Sequence, residues 1–176
     1  MPNLRELRSR IKSVDSTSRV TKALQMIAAA KMKKAQDKVT DGREYSKKLN
    51  GILSNVYESN PEIFSNSESN TTETNLILLI TPDRGLCGAL VSNILREANK
   101  YINGTVSANT EILVIGKKGN SFILKSENDV SELFKISDMP TFEEVSQITK
   151  PIIEKYKKGD FSQLNVIYSE FISTAV

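Results

Sequence analysis

The chain has 176 residues, 39% of them hydrophobic and 26% charged, which excludes an intrinsically disordered or collagen-like protein. A single cysteine permits no intrachain disulfide and favours a reducing compartment. The chain contains no histidine, which excludes acid–base catalysis by histidine and metal ligation by histidine. The net charge of +3 is divided into +8 for residues 1–57 and −5 for residues 58–176, which indicates two structural units with different partners.

The N-terminal third of the chain is predicted to form one long helix, over residues 1–57. Leu4, Leu7, Ile11 and Val14 recur at steps of three and four, which is typical of a helix with one apolar face. This apolar stripe continues through Ser18, Thr21, Ala28, Met32, Ala35, Val39, Leu49, Ile52, Leu53 and Val56. Such a helix would be about 80 Å long, against about 35 Å for the rest of the chain folded as one domain. We therefore expect a coiled-coil-type helix that projects from the domain or breaks near Gly42, and that needs a partner along its stripe.

A short segment of this helix, residues 23–30, is apolar nearly all round, and we call it the collar. Seven of its eight residues are apolar, and a helix that is apolar on every side is usually enclosed from several directions. Lysines flank the collar on both sides, at Lys22, Lys31, Lys33, Lys34 and Lys38. Two interpretations follow: a core helix with a solvated lysine face, or an axle enclosed by other chains, whose basic bands meet acidic ones.

The rest of the chain is predicted to form an α/β domain over residues 75–176, after a polar linker at 58–74. Strands are predicted at 76–81, 112–115, 131–136 and 164–168, and helices at 88–102, within the ambiguous stretch 117–126, and from 141 to 159. The last helix has Thr141 as its cap and Glu144 at the reciprocal position of a capping box. The alternation of strands and helices favours a mostly parallel, Rossmann-like sheet.

The turn after the first strand, Thr81 to Gly88, is where an α/β sheet would place a functional site. Its sequence lacks the G-x-G-x-x-G spacing of a dinucleotide site, and the chain contains no G-x-x-x-x-G-K-[ST] loop. Cys87 precedes a helix, as a nucleophile could, but the usual histidine base is missing, so a small buried thiol in a tight turn is favoured. Asp83 and Arg84 are interpreted as a turn-stabilising or partner-contacting pair, and no cofactor or metal site is predicted.

Two stretches together resemble the gamma subunit of F-type ATP synthases. Residues 20–32, Val-Thr-Lys-Ala-Leu-Gln-Met-Ile-Ala-Ala-Ala-Lys-Met, preceded by Arg10-Ile11, are similar to that family's N-terminal helix. The turn Thr-Pro-Asp-Arg-Gly-Leu-Cys-Gly is similar to the family's signature turn, apart from Pro82, where the family usually has serine. Residues 140–144 and 167–171 are also similar to family segments. Family chains continue well beyond residue 176 and end in a long helix that coils against the first one, so the resemblance implies that the α/β domain is truncated at its C-terminal end.

The resemblance implies a non-catalytic rotor subunit, the central stalk that couples proton translocation through the membrane sector to ATP synthesis at the beta subunits. It implies contacts with the alpha and beta subunits of the catalytic ring, the epsilon subunit and the c-ring, with no cofactor, no nucleic acid and no direct membrane insertion. It implies a peripheral location on the cytoplasmic face of a bacterial inner membrane or, as the alternative, on the matrix side of the mitochondrial one. The residues expected to contact the alpha–beta ring are Lys22, Leu24, Gln25, Met26, Ala28, Ala29, Ala30, Lys31, Lys33, Lys34, Asp83, Arg84, Gly85, Leu86, Cys87 and Gly88.

Two hypotheses from other functional classes remain open from the sequence. The basic segment 1–57 is compatible with a helical-arm adaptor that binds nucleic acid, although Tyr45 and Tyr57 are the only aromatic residues there and no base-reading module is present. An enzyme that uses Cys87 is the other, and it would require a thiol that reacts near neutral pH.

Overall fold

The structure, a computed structural model, describes residues 3–61, 74–104, 109–124 and 130–173. The chain divides into two compact units, one up to Val56 and one from Tyr57 onward. Its elements in chain order are α1 (Leu4–Ser59), β1 (Thr74–Ile80), α2 (Leu90–Gly104), β2 (Asn109–Ile115), α3 (Lys117–Ile123), β3 (Val130–Phe134), α4 (Phe142–Lys158) and β4 (Gln163–Ile167). Most of the predicted linker at 58–74, from residue 62 to residue 73, lies outside the described residues.

The first unit is the helix α1, whose 56 residues run without a break. The helix begins after Asn3, whose side-chain oxygen accepts a hydrogen bond from Arg5 N at 3.5 Å. The backbone stays helical through Gly42, so the alternative of a break at that glycine is wrong. The physical reason is that a single glycine costs a helix only about 1 kcal/mol relative to alanine. At about 1.5 Å per residue, the helix is about 84 Å long.

The apolar stripe of α1 stays exposed to solvent in this chain. No residue of the helix is buried, and Leu4, Ile11 and Val14 are each about two-thirds exposed or more. Two threonine hydroxyls are satisfied within the helix itself: Thr21, on the stripe, and Thr17, beside it, donate to the carbonyls four residues earlier, at 2.8 and 2.9 Å. The described residues of the chain therefore leave the stripe uncovered.

The second unit is built on a four-stranded sheet in the order β3-β2-β1-β4, and every neighbouring pair among these strands is parallel. The central strand β1 pairs with β2 along its whole length, with Ile80 opposite Ile115 at the carboxyl end. On its other side β1 pairs with β4, with Leu79 opposite Ile167. The predicted α/β class, with a long N-terminal helix followed by a parallel, Rossmann-like sheet, is confirmed.

Helices cover both faces of this sheet, as the unbroken apolar run in β1 requires. On one face α4 packs over a buried cluster formed by Leu76, Leu78, Leu113, Ile115, Ile148, Ile152 and Phe161. On the other face α2 and α3 pack over Leu79, Ile94, Ala98, Ile112, Val114 and Ile123. Burial of each such aliphatic side chain contributes about 1.5–3 kcal/mol, so the second unit has a core of its own.

Several elements differ in extent from the sequence prediction. Helix α2 begins at Leu90 and not at residue 88, because Gly88 has a φ of 61°, which lies outside the helical region. Strand β3 ends at Phe134 and not at residue 136, because its pairing with β2 ends there. The stretch 117–126 contains α3, a short helix that starts directly after Gly116. Helix α1 continues to Ser59, two residues further than predicted.

Helix α4 has the two ends that its sequence predicts. Thr141 Oγ1 accepts from Glu144 N at 3.3 Å, and the Glu144 carboxylate accepts from Thr141 N at 2.8 Å, which is the predicted capping box. Glu144 also accepts from Ser137 Oγ at 2.9 Å. These hydrogen bonds, first the one from the Thr141 backbone, lower the pKa of Glu144. At the other end Gly159 adopts a left-handed φ of 78° and closes the helix.

The carboxyl ends of β1 and β2 meet α3 in a close contact around Thr81, which we call the Thr81 junction. Thr81 is buried, and its Oγ1 donates to the Ile115 carbonyl at 3.1 Å and accepts from Gly119 N at 2.9 Å. A Cβ at Gly116 would lie 1.9 Å from the Thr81 carbonyl oxygen, and a Cβ at Gly119 would lie 2.8 Å from Thr81 Oγ1. Both positions of the junction therefore require glycine.

We predict that Gly116→Ala lowers the free energy of unfolding of the second unit by at least about 2 kcal/mol, because a side chain would strain a φ of 98° and collide with a backbone carbonyl. Native-state amide exchange of β1 and β2 measures this free energy. Gly104→Ala is the matched control, because a Cβ there would have no neighbour within 4 Å. Equal exchange rates in the two variants would contradict the prediction.

Glu144→Gln is expected to destabilise the chain at neutral pH and to lose this effect in acid. A carboxylate whose pKa is lowered by folding stabilises the folded state above its ordinary pKa of 4.5, and the contribution disappears as the pH falls through the lowered value. The measurement compares the thermal midpoints of the two proteins from about pH 7 to about pH 3. A difference that stays constant over this range would show that the hydrogen bonds to Glu144 do not stabilise the fold.

For the chain on its own, we expect α1 to fray or self-associate while the second unit stays folded. Helices without tertiary partners lose most of their stability, and no residue of α1 is buried. Amide exchange over residues 4–40, measured together with sedimentation, tests this expectation. Uniformly slow exchange over that range in a monodisperse monomer would mean that α1 is stable without a partner.

Candidate functional site

The turn between β1 and α2 lies at the topological switch point of the sheet. Strands β2 and β3 lie on one side of β1, whereas β4 lies on the other side and follows α4. The chain passes from β1 to β2 over the face that α2 and α3 cover, and it returns to the other side of β1 over the opposite face, which α4 covers, so the strand order reverses its direction at β1. Proteins with open α/β sheets bind their ligands at such a point. The predicted turn, Thr81 to Gly88, therefore occupies the position expected of a functional site.

Hydrogen bonds and an ion pair tie this turn to several elements around it. Asp83 Oδ1 accepts a hydrogen bond from Lys117 N, the first amide of α3, at 2.8 Å. Arg84 Nη2 lies 3.7 Å from Asp138 Oδ2, in the loop between β3 and α4. At the far end, Leu90 N donates to the Cys87 carbonyl at 3.4 Å. The sequence interpretation of Asp83 as a turn-stabilising residue agrees with its bond to α3.

Between the residues that make these bonds, the turn exposes Leu86 to solvent. Leu86 is fully exposed and has a φ of 61°, a left-handed conformation that a leucine rarely adopts. Strain of this kind persists only where the surrounding structure enforces it, and it is common at binding sites. Sequence reasoning placed Leu86 among the contact residues but did not anticipate its conformation. The one signal was a leucine set between Gly85 and Gly88 in an otherwise polar turn.

A thiol and a lysine ammonium also lie at the turn. The half-buried Cys87 thiol lies 3.9 Å from the Arg84 carbonyl oxygen, and the sequence contains no histidine to activate it. A Cβ at Gly85 would lie 3.8 Å from Lys118 Nζ, so the ammonium group of Lys118 lies close to the turn at Gly85. Within the described ranges, no group of three or more His, Cys, Asp or Glu side chains could hold a metal ion.

The collar, in the first unit, exposes apolar side chains on all sides of α1. Leu24, Met26 and Ile27 are 60%, 61% and 56% exposed. At 100° per residue, Leu24 and Ile27 share one side of the helix, Met26 points to nearly the opposite side, and the exposed alanines at 28 and 29 lie in the directions between them. The remaining predicted contact residues of α1 are exposed as well: Lys22, Gln25, Ala28, Ala29, Ala30, Lys31, Lys33 and Lys34.

Among the described residues, no helix combines the length and the hydropathy that a membrane span requires.

Residues 3–176 match the family model described as ATP synthase. The ATP synthase gamma chain of Flavobacterium johnsoniae is 36% identical over 177 residues, which cover 99% of this chain and 62% of that one. The gamma chain of Cytophaga hutchinsonii is 37% identical, with the same two coverages, and that of Chloroflexus aurantiacus is 32% identical over 100% of this chain and 63% of its own. The chain thus spans less than two-thirds of the length of these relatives. None of these similarities supports the alternative of a nucleic-acid-binding adaptor.

The fold is similar to that of a chain in the cryo-EM structure of the Tetrahymena thermophila mitochondrial ATP synthase, central stalk and c-ring. The TM-score is 0.70 and the sequence identity 24%, over 88% of this chain and 66% of that one. The long helix and the α/β unit therefore have the same fold as this central-stalk chain. The chain therefore belongs to the ATP synthase gamma-chain family.

Proposed function

We propose that this chain is the non-catalytic central-stalk subunit of an F-type ATP synthase, which couples proton translocation through the membrane sector to ATP synthesis at the beta subunits. The observation that carries the proposal is the uninterrupted helix α1, which has an apolar collar exposed on every side and no buried residue. The proposed partners are the alpha and beta subunits, the epsilon subunit and the c-ring, and membership of the gamma-chain family supports this proposal. The bacterial relatives favour the cytoplasmic face of an inner membrane as its location.

A ring of subunits around α1 would account for the collar. A single partner helix covers one side of a helix, whereas the exposed Met26 points nearly opposite to Leu24 and Ile27, which share one side. Burial of each would contribute about 1.5–3 kcal/mol. The three alanines at 28–30 add almost no bulk, so a surrounding surface can approach the backbone closely. An enclosing sleeve therefore explains the pattern better than one partner helix.

The lysines after the collar suit a helix that meets several subunits in turn. Lys31 and Lys34 lie on one side of the helix and Lys33 on another, and all three are exposed. We propose that they face acidic loops of the beta subunits. Each exposed ion pair contributes only about 0–1 kcal/mol and is screened by salt. Such contacts hold the helix weakly enough for it to turn.

The turn at the switch point is proposed as a second contact with the beta subunits. Leu86 offers a fully exposed apolar side chain at its tip, and Arg84, 79% exposed, offers a cation beside it. Burial of this leucine in an apolar pocket of the partner would contribute about 1.5–3 kcal/mol, and a polar rim around that pocket could meet Arg84.

Tryptophan substitution in the collar tests the proposed enclosure. Ala28→Trp, Ala29→Trp and Ala30→Trp are each expected to impair assembly with alpha and beta subunits or to lower coupled ATP synthesis. The reason is that overpacking costs about 1–3 kcal/mol and a closed sleeve cannot move aside. The measurement is ATP synthesis by the reconstituted complex, with assembly followed by co-purification.

Thr40→Trp is the matched control for this scan. Thr40 is an exposed, uncharged residue of α1 that lies beyond the collar and off its stripe, so the same ring is added where no enclosure is proposed. It is expected to assemble normally. If all three alanine positions accept tryptophan with unchanged coupled ATP synthesis, the collar is not enclosed.

A further inference from the structure

We infer that Asp83 is a positioning residue, which ties the turn to α3 and thereby sets the conformation in which Leu86 meets its partner. This inference rests on the proposed contact between the turn and the beta subunits. It assigns Asp83 a role different from the direct partner contact that the sequence suggested. Asp83 and its neighbours in the turn form several bonds within the chain that support this role.

The carboxylate of Asp83 is directed at the N-terminus of α3. Its Oδ1 accepts from Lys117 N at 2.8 Å, and this amide is one of those that a helix leaves without an intrahelical acceptor. A negative charge is also favoured at that end of a helix. Two residues earlier, Thr81 binds the same helix through Gly119 N, at 2.9 Å. The start of the turn is therefore attached to α3 at two points.

The rest of the turn is attached less firmly. Arg84 and Asp138 are 3.7 Å apart and their side chains are 79% and 71% exposed, so solvent weakens this pair. The left-handed φ of Leu86 is unfavourable and must be enforced by its surroundings. Since the firm attachment precedes Leu86 by only three residues, loss of the Asp83 bond would let the turn relax and withdraw the leucine from its presented position.

A pair of conservative variants separates positioning from direct charge contact. Asp83→Asn keeps an acceptor oxygen at the same distance from the backbone but loses the charge, whereas Asp83→Glu keeps the charge but moves the acceptor by one methylene. Positioning predicts that Asp83→Glu weakens binding more than Asp83→Asn. We expect a loss of about tenfold for Asp83→Glu, equivalent to one hydrogen bond with a charged group, and of less than about threefold for Asp83→Asn.

The measurement is the affinity of the full 176-residue chain for a ring of alpha and beta subunits encoded by the same genome. Leu86→Ala and the double variant Asp83→Glu/Leu86→Ala complete the set. If Asp83 acts through Leu86, the double variant binds no more weakly than Leu86→Ala alone. Amide exchange at Lys117 should accelerate in Asp83→Glu whether or not Leu86 is present. Glu154→Gln and Glu154→Asp, at an exposed carboxylate of α4, control for a general effect of charge or length.

The outcomes separate this inference from the proposed function. If Leu86→Ala binds as tightly as the unaltered chain, the turn is not the contact, and both the proposed contact and the role of Asp83 are wrong. If Leu86→Ala weakens binding but Asp83→Asn is the more damaging of the two Asp83 variants, Asp83 meets the partner through its charge and the inference alone is overturned. Additive losses in the double variant would also overturn it.

Discussion

The absence of any buried residue in α1 is the constraint on which the rest of the molecule depends. A helix satisfies its own backbone hydrogen bonds, but most of the stability of helices in proteins comes from burying an apolar face. The second unit has two buried clusters, one on each face of its sheet. The chain thus joins a unit with a core of its own to a helix whose apolar stripe the described residues leave exposed.

The second unit is most precisely built around the carboxyl ends of its central strands. At the Thr81 junction, backbone approaches backbone so closely that Gly116 and Gly119 admit no side chain. Asp83 extends the same attachment into the turn through its bond to Lys117 N. The turn is therefore firmly attached to α3 a few residues before Leu86, the most exposed leucine of the unit. A loop that is already fixed in its bound conformation loses little conformational entropy on binding.

Features that depend on residues close together in the sequence could be predicted, whereas contacts between residues far apart in the sequence could not. The strand of Leu76 to Ile80 and the capping box of Thr141 and Glu144 follow from hydrophobic runs and from residues three apart, and both were predicted correctly. The bond from Lys117 N to Asp83 joins positions 34 residues apart, and no local pattern encodes it. The left-handed Leu86 was missed because leucine carries no preference for that conformation. The contact residues of the collar could be proposed from composition, because a helix that is apolar on every side is usually enclosed, but no local pattern identifies the proposed partner.

The hydroxyls of Thr17 and Thr21 bear on how α1 could move against a neighbour. Both are bonded to carbonyls of their own helix, so neither requires an acceptor on the opposite surface. An interface formed by these residues and by the aliphatic positions of the stripe would lack the directional bonds that lock two surfaces into one alignment. Dispersion and hydrophobic contact change little when one surface slides by a fraction of a side chain. Such an interface would keep the helix in contact with its neighbour while allowing many closely spaced alignments of similar energy.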